Sequence, residues 1–196
     1  MVTVPLYMSL IVSEERPLTA FSLLTMTAIP SIVYGFFGLM VLVPLFRSIF
    51  GSGKSILTAS VLLSFMILPT IITVSESSLR ALDNSLLEGA LALGDTKEKA
   101  VFRVMVPAAS SGILSSVILG VGRSIGETMA VVMVAGNQPR IPGSVLDGVR
   151  TMTANIVLEM GYATDLHREA LIATGAVLFV FVLILNLSFS LIRRKK

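Results

Sequence analysis

Arg123 and Glu127 lie four residues apart inside the apolar run from Ala109 to Ala135, where a charge is least expected. On insertion scales each costs roughly 2.5–3.5 kcal/mol near the middle of a membrane helix, so such residues face a partner or an aqueous path rather than lipid. The i, i+4 spacing predicts one shared helical face. A guanidinium fork suits the oxygens of a tetrahedral oxyanion, and Glu127 would pair with it when no anion is present. Glu127 alone would repel an anion. Arg123 is therefore the expected substrate contact and Glu127 the group that tunes or releases it, with Ser124 and Thr128 beside them on the candidate pathway. The competing reading is a structural ion pair that knits helices together.

Other patterns have the residue types of a site without its setting. Gly53-Lys54-Ser55 ends like a P-loop, but Ser48 stands where the pattern needs glycine and no strand precedes it. Gly122-Arg123-Ser124-Ile125-Gly126 satisfies G-x-S-x-G, and Asp147 or Asp165 followed by His167 keeps a hydrolase order. A membrane serine hydrolase is thus the enzyme-class rival, but a nucleophile elbow needs a strand-to-helix turn and this serine lies mid-helix. His167, beside Asp165 and Glu169, reads as a solvated loop histidine rather than a metal ligand. The chain has no cysteine, which excludes disulfides, thiolate catalysis and Cys-based metal sites. No catalytic residue and no metal site is expected.

The elements that must hold these residues are membrane helices. Hydrophobic residues make up 54% of the 196-residue chain and charged ones 14%, far from the balance of a water-soluble domain. A span needs about 20 mostly apolar residues, and four runs qualify: 21–46, 55–74, 109–135 and 170–192. Backbone groups in lipid must be satisfied internally, so these runs predict helices and an all-α integral membrane protein. A kink is expected near Pro30. Residues 1–12 are apolar but too short to span at about 1.5 Å per residue, and they lack the features of a signal peptide. They read as the second half of a helix, so the chain is expected to be N-terminally incomplete.

Placing the tail Arg193-Arg194-Lys195-Lys196 in the cytoplasm leaves nine Lys and Arg inside and five outside, with Arg123 within a span. That bias favours a cytoplasmic C-terminus, a short inner turn at Glu14-Glu15-Arg16-Pro17, a cytoplasmic loop over 76–107 and an external segment over 136–168. The net charge of +3 sits at helix ends, not along one face, and points to no nucleic acid. Along the 109–135 run, Gly112, Ser116, Gly120, Gly122 and Gly126 predict close helix packing. Thr151 to Met160 carries Met152, Ile156, Val157 and Met160 at helical spacing, which predicts a short amphipathic helix.

The cytoplasmic loop carries its own punctuation. Ser85-Leu86-Leu87-Glu88 fits a capping box, Gly94 is placed to end that helix in a left-handed cap, and Asp95-Thr96 would cap a second helix that stops before Pro107. Small residues at Gly89, Ala90 and Ala92 would let another protein approach the backbone.

Glu88-Gly89-Ala90, Gly94 and, after nine residues, Val104-Met105-Val106-Pro107 resemble the E-A-A-x3-G-x9-I-x-L-P signature of ATP-binding-cassette importer permeases. Gly89, Val104 and Val106 depart from it conservatively. The match extends to Ala28-Ile29-Pro30-Ser31-Ile32-Val33-Tyr34-Gly35-Phe36-Phe37-Gly38, to Ser124-Ile125-Gly126-Glu127-Thr128-Met129-Ala130-Val131, and to Thr151 through Ala163. These segments look like the PstC-type permease subunit of phosphate importers. The resemblance implies the type I importer transmembrane fold in the plasma (inner) membrane and phosphate import without covalent chemistry. It implies coupling positions at Glu88, Gly89, Ala90, Gly94, Asp95 and Pro107, and pathway charges at Arg123 and Glu127. No cofactor is implied for this chain, because ATP would be bound by a partner. The implied partners are a PstA-type second permease, a PstB-type ATPase dimer, a PstS-type extracytoplasmic phosphate-binding protein and the lipid bilayer. Rival readings are a permease for molybdate or sulfate and a phosphate-sensing scaffold that does not transport.

Overall fold

The computed structural model of the chain describes residues 29–194. The expected partial helix 1–12, the turn at 14–17, the start of the 21–46 span and Lys195-Lys196 lie outside them. The described residues are helical apart from connections and one isolated bridge, Gly136 to Val149, and they contain no strand. Helices over Ser31–Phe50, Ile56–Arg80 and Asp165–Phe189 are long and apolar enough to cross a membrane. A bent pair, Lys97–Ala108 and Ser110–Gly126, makes a fourth if counted as one span. Phe36, Met40 and Ile49 on the first, and Phe179, Ile184 and Leu187 on the last, are exposed large apolar side chains of the kind lipid covers.

Two compact units divide the chain, and the division falls inside the long helices. One unit comprises 29–67 with 122–188. It opens with α1 (Ser31–Phe37), a π-helical turn Gly38–Leu42 and α2 (Val43–Phe50), which run on as one rod. Pro30 is the N-cap of α1; proline fits a helix start, where its missing N–H is no loss, and the stretch before it that the expected kink would join lies outside the described residues. The core of the unit gathers Leu42, Leu62, Met66, Ala130, Val131 and Val134. Close approach explains two glycines. A Cβ on Gly35 would stand 2.8 Å from Ala130 Cα, and one on Gly38 would stand 2.8 Å from Leu62 Cδ2.

The long helix α3 (Ile56–Arg80) starts in this unit under an unusual cap. Ser55 Oγ accepts from the Thr58 N–H at 3.2 Å, while Ile56 and Leu57 donate to the carbonyls of Asp147 and Val145 at 3.0 and 2.9 Å. A segment some ninety positions away in sequence thus satisfies amides that a helix start leaves open. That segment is itself pinned. Asp147 Oδ2 accepts from the N–H groups of Gly143 and Ser144, and Val149 donates to Ala135 O at 2.9 Å.

The other unit includes 68–121. It holds the rest of α3, then α4 (Asn84–Ala92), α5 (Lys97–Ala100), a second π turn Val101–Met105, α6 (Val106–Ala108) and the start of α7 (Ser110–Gly126). Leu79, Met105 and Ala109 form its apolar centre. Ser75 and Ser116 share a buried hydroxyl bond of 2.7 Å, and Gly112 leaves room for Ser78. The small-residue packing expected along this run therefore involves Gly112, Ser116 and buried Gly120, whereas a Cβ on Gly122 or Gly126 would meet nothing within 4 Å.

Both π turns precede a Val-Pro pair in the same register: Gly38–Leu42 before Val43-Pro44, and Val101–Met105 before Val106-Pro107. Each valine N–H closes the wide turn, onto Gly38 O and Val101 O respectively. A proline ring collides with the carbonyl four residues back, and the wider turn moves that carbonyl aside. The helix therefore does not stop before Pro107 as its sequence suggested. It runs to Ala108 and turns by 70° at Ala109.

Candidate functional site

Residues 83–105 fold as two short helices around a glycine. The first, α4, is capped by Asp83, whose Oδ1 accepts the Ser85 N–H at 2.9 Å. That bond holds the Asp83 carboxyl below the usual carboxylate range. The expected capping box from Ser85 to Glu88 is not formed, because Asp83 starts the helix two residues earlier and leaves Glu88 exposed. The end of α4 follows expectation. Gly94 has φ +87°, its N–H donates to Leu91 O at 3.0 Å, and the Asp95 N–H donates to Ala90 O at 3.2 Å, the paired bonds of a Schellman cap. Thr96 then caps α5, with Oγ1 accepting the Lys99 N–H at 3.4 Å.

The coupling candidates divide by face. Ala90 is buried, not open to a partner as its small size suggested. Glu88, Gly89, Gly94 and Pro107 are exposed and Asp95 is half-buried. A Cβ on Gly89 or Gly94 would meet nothing within 4 Å, and Leu93 beside them is 90% exposed. Leu93 carries the largest unburied apolar surface of the element and was not singled out from sequence; the signal available was a leucine immediately before the capping glycine.

The pathway candidates sit at a broken helix. The run 109–135 was expected to form one continuous span, but α7 ends at Gly126 and a new helix, α8 (Met129–Val134), begins after Thr128. Glu127 Oε1 accepts the Ala130 N–H at 3.2 Å, and Thr128 Oγ1 donates to Gly126 O at 3.1 Å. Glycine is a weak helix former, and the two polar side chains offer the backbone local alternatives to the helical ladder. Arg123 and Glu127 therefore do not lie within one continuous helix, although the Glu127 N–H still donates to Ser124 O at 3.3 Å. Arg123 is exposed in the last turn of α7 and Glu127 stands past its end.

Ser124 and Glu127 nevertheless share a cleft of about 230 Å³, joined there by Ser60, Thr151 and Thr153. Arg123 and Thr128 are not among its lining residues. Thr151 was legible in sequence only as the start of α9 (Met152–Glu159), where its Oγ1 accepts the Ala154 N–H at 3.2 Å. Ser60 lay inside an expected span and carried no signal.

A second polar cluster fastens the end of α9. Arg150 Nη1 donates to Glu159 Oε1 at 2.6 Å and its Nε donates to Asn137 O at 3.1 Å, while His167 Nε2 lies 3.5 Å from Glu159 Oε2. The Tyr162 hydroxyl and then Arg150 hold the Glu159 carboxyl below its ordinary range. His167 stands in the first turn of α10 (Asp165–Arg194), facing a carboxylate rather than bulk water alone.

An all-helical chain of this kind, with a capped two-helix loop between apolar helices, has clear counterparts. Residues 15–196 match the family described as binding-protein-dependent transport system inner membrane component. The chain belongs to that family. Members are transport components, and the family description together with the apolar helices makes this a multi-pass inner-membrane protein. It is 42% identical over 176 residues to the probable ABC transporter permease protein YqgH of Bacillus subtilis, covering 87% of this chain and 57% of that protein. It is 41% identical over 95 residues to the phosphate transport system permease protein PstC of Xylella fastidiosa, covering 48% of this chain and 29% of that one. For PstC of Haemophilus influenzae the identity is 39% over 104 residues, covering 52% and 33%. The chain thus spans between about a third and somewhat over half of these relatives. Among solved structures, it matches a chain of the MetNI methionine ABC transporter in inward-facing form with a TM-score of 0.75 at 20% identity, covering 99% of this chain and 83% of that one. The fold is that of an ABC importer transmembrane domain.

Proposed function

We propose that this chain is the permease subunit of an ATP-driven importer of inorganic phosphate, forming half of an alternating-access path. The observation that carries the importer reading is the 83–105 element. Two capped helices, held by a Schellman turn at Gly94, present Glu88, Gly89 and Leu93 outward as a rigid knob. Phosphate as substrate is supported by the relatives named as phosphate permeases and by the 124–131 and 151–163 segments. On this reading 76–107 faces the cytoplasm, 136–168 faces outward, and the C-terminus is cytoplasmic.

Nucleotide is bound and hydrolysed by a PstB-type ATPase dimer, and this chain carries no cofactor and no catalytic group. The knob rests on that ATPase and transmits its movement, a PstA-type permease supplies the other half of the path, and a PstS-type binding protein delivers the anion. A change in knob position biases two arrangements of the helices, which is how a local contact becomes a switch in access. Arg123, exposed at the end of α7, meets the anion with its guanidinium fork.

Uptake of labelled phosphate into vesicles containing the whole complex tests this. Arg123→Gln that inserts and associates normally is expected to lose uptake; retained uptake removes Arg123 from the path. Bulky replacements at both Glu88 and Gly94 are expected to abolish ATPase co-purification, and unchanged co-purification with unchanged uptake rejects the knob. Uptake of molybdate or sulfate in place of phosphate would reassign the substrate.

A further inference from the structure

The cleft beside Glu127 has a polar composition that does not match an anion. Its polar side chains are one carboxylate and four hydroxyls, from Glu127, Ser60, Ser124, Thr151 and Thr153, and no Lys, Arg or His lines it. Glu127 Oε1 accepts the Ala130 N–H at 3.2 Å. Ser124 belongs to the last turn of α7, the end at which a helix dipole is negative. One carboxylate residue, four hydroxyl residues and a negative helix end thus border one cavity, Thr151 and Thr153 sharing a hydroxyl bond of 3.1 Å, with apolar walls that strengthen charge interactions.

From this we infer that the cleft is a binding site for a small hard monovalent cation of the sodium class, held with part of its hydration shell. Hard cations take oxygen ligands, and carboxylate, hydroxyl and water oxygens are what this cleft provides. Broken membrane helices meet ions in this way, because the break frees polar groups at membrane depth. The volume of about 230 Å³ leaves room for water around the ion. The positive charge offsets Glu127, which would otherwise repel an anion passing near Arg123. That last consequence rests on the phosphate reading, while the site itself rests only on the geometry.

The test is thermal unfolding of the purified permease–ATPase complex in detergent without phosphate, in NaCl, KCl or N-methylglucamine chloride at constant ionic strength. A saturable rise in Tm with sodium, larger than with the other two, is expected for the parent and is expected to vanish in Glu127→Gln, whose amide oxygen keeps an acceptor for Ala130. Ser60→Ala and Thr153→Val, which leave that cap untouched, are expected to raise the half-saturating sodium concentration several-fold. Equal responses to all three cations, a response retained in Glu127→Gln, or unchanged half-saturation in both hydroxyl variants would overturn the site. Should Glu127→Gln not fold, the hydroxyl variants decide alone. Phosphate uptake is read separately in vesicles, so its absence counts against the phosphate reading and leaves the cation result standing.

Discussion

The knob at 83–105 and the break at 126–128 both interrupt helices with a glycine, and they do so for different reasons. At the knob the caps are local. Asp83, Gly94 and Thr96 each satisfy or release backbone groups within a few residues, and only a small face with Ala90, Ala100, Val101 and Met105 is buried. At the break, Gly126 and Glu127 end one helix, but the next is held by distant packing: Ala130 against the bare backbone of Gly35, and Val134 against Gly38. A part that must push on another protein is specified from within. A part that must line a cavity is specified by its neighbours.

The strongest way to break this contrast is Gly35→Val. Its Cβ would meet Ala130 Cα at 2.8 Å, a backbone atom that cannot swing aside. Overpacking of this kind costs about 1–3 kcal/mol, so a lower Tm and loss of the α8-dependent cleft are expected while the knob is unaffected. Comparing ATPase co-purification with Tm checks whether the two regions separate.

A smaller effect comes from two glycines of the knob itself. Gly94→Ala forces a side chain into the left-handed region at φ +87°, at roughly 1–2 kcal/mol. Gly89→Ala removes backbone freedom inside α4 without a clash and stabilises by roughly 0.5–1 kcal/mol. Opposite signs in thermal unfolding are expected, and equal signs would show that the knob is not locally determined.

The smallest effect is one of pH. The Glu159 carboxyl is lowered from 4.5 in the folded chain by Tyr162 and Arg150. Its contribution to stability is therefore present above pH 4.5 and is lost as pH falls through the folded value. Glu159→Gln is expected to lower Tm at neutral pH, with the gap to the parent closing on acidification. A gap that does not close in acid would show that the Glu159 carboxylate does not carry this stability.

What was legible in the sequence follows the same division. The Gly94 cap, the Thr96 start and the Thr151 start could be read because their chemistry acts over two to five residues. The capping box at Ser85 was misread because Asp83 offers an equally good oxygen two residues earlier, and periodicity cannot choose between them. The 109–135 run is apolar on both sides of Gly126-Glu127-Thr128 and long enough for one span, so its length concealed the break. The cap on α3 was beyond reach, since Val145 and Asp147 contribute carbonyls rather than side chains. Pro107 was read as a stop, yet there, as at Pro44, the backbone widens and continues.

Those two wide turns have a consequence for how the chain tolerates change in length. Each carries one more residue than an ordinary helical path between the same ends would need. Removing a single residue from 38–42 or from 101–105 would close the turn to plain α-helix and press the ring of Pro44 or Pro107 against the carbonyl four residues before it. The extra residue before each Val-Pro pair is therefore one that the rod gives up only at a cost.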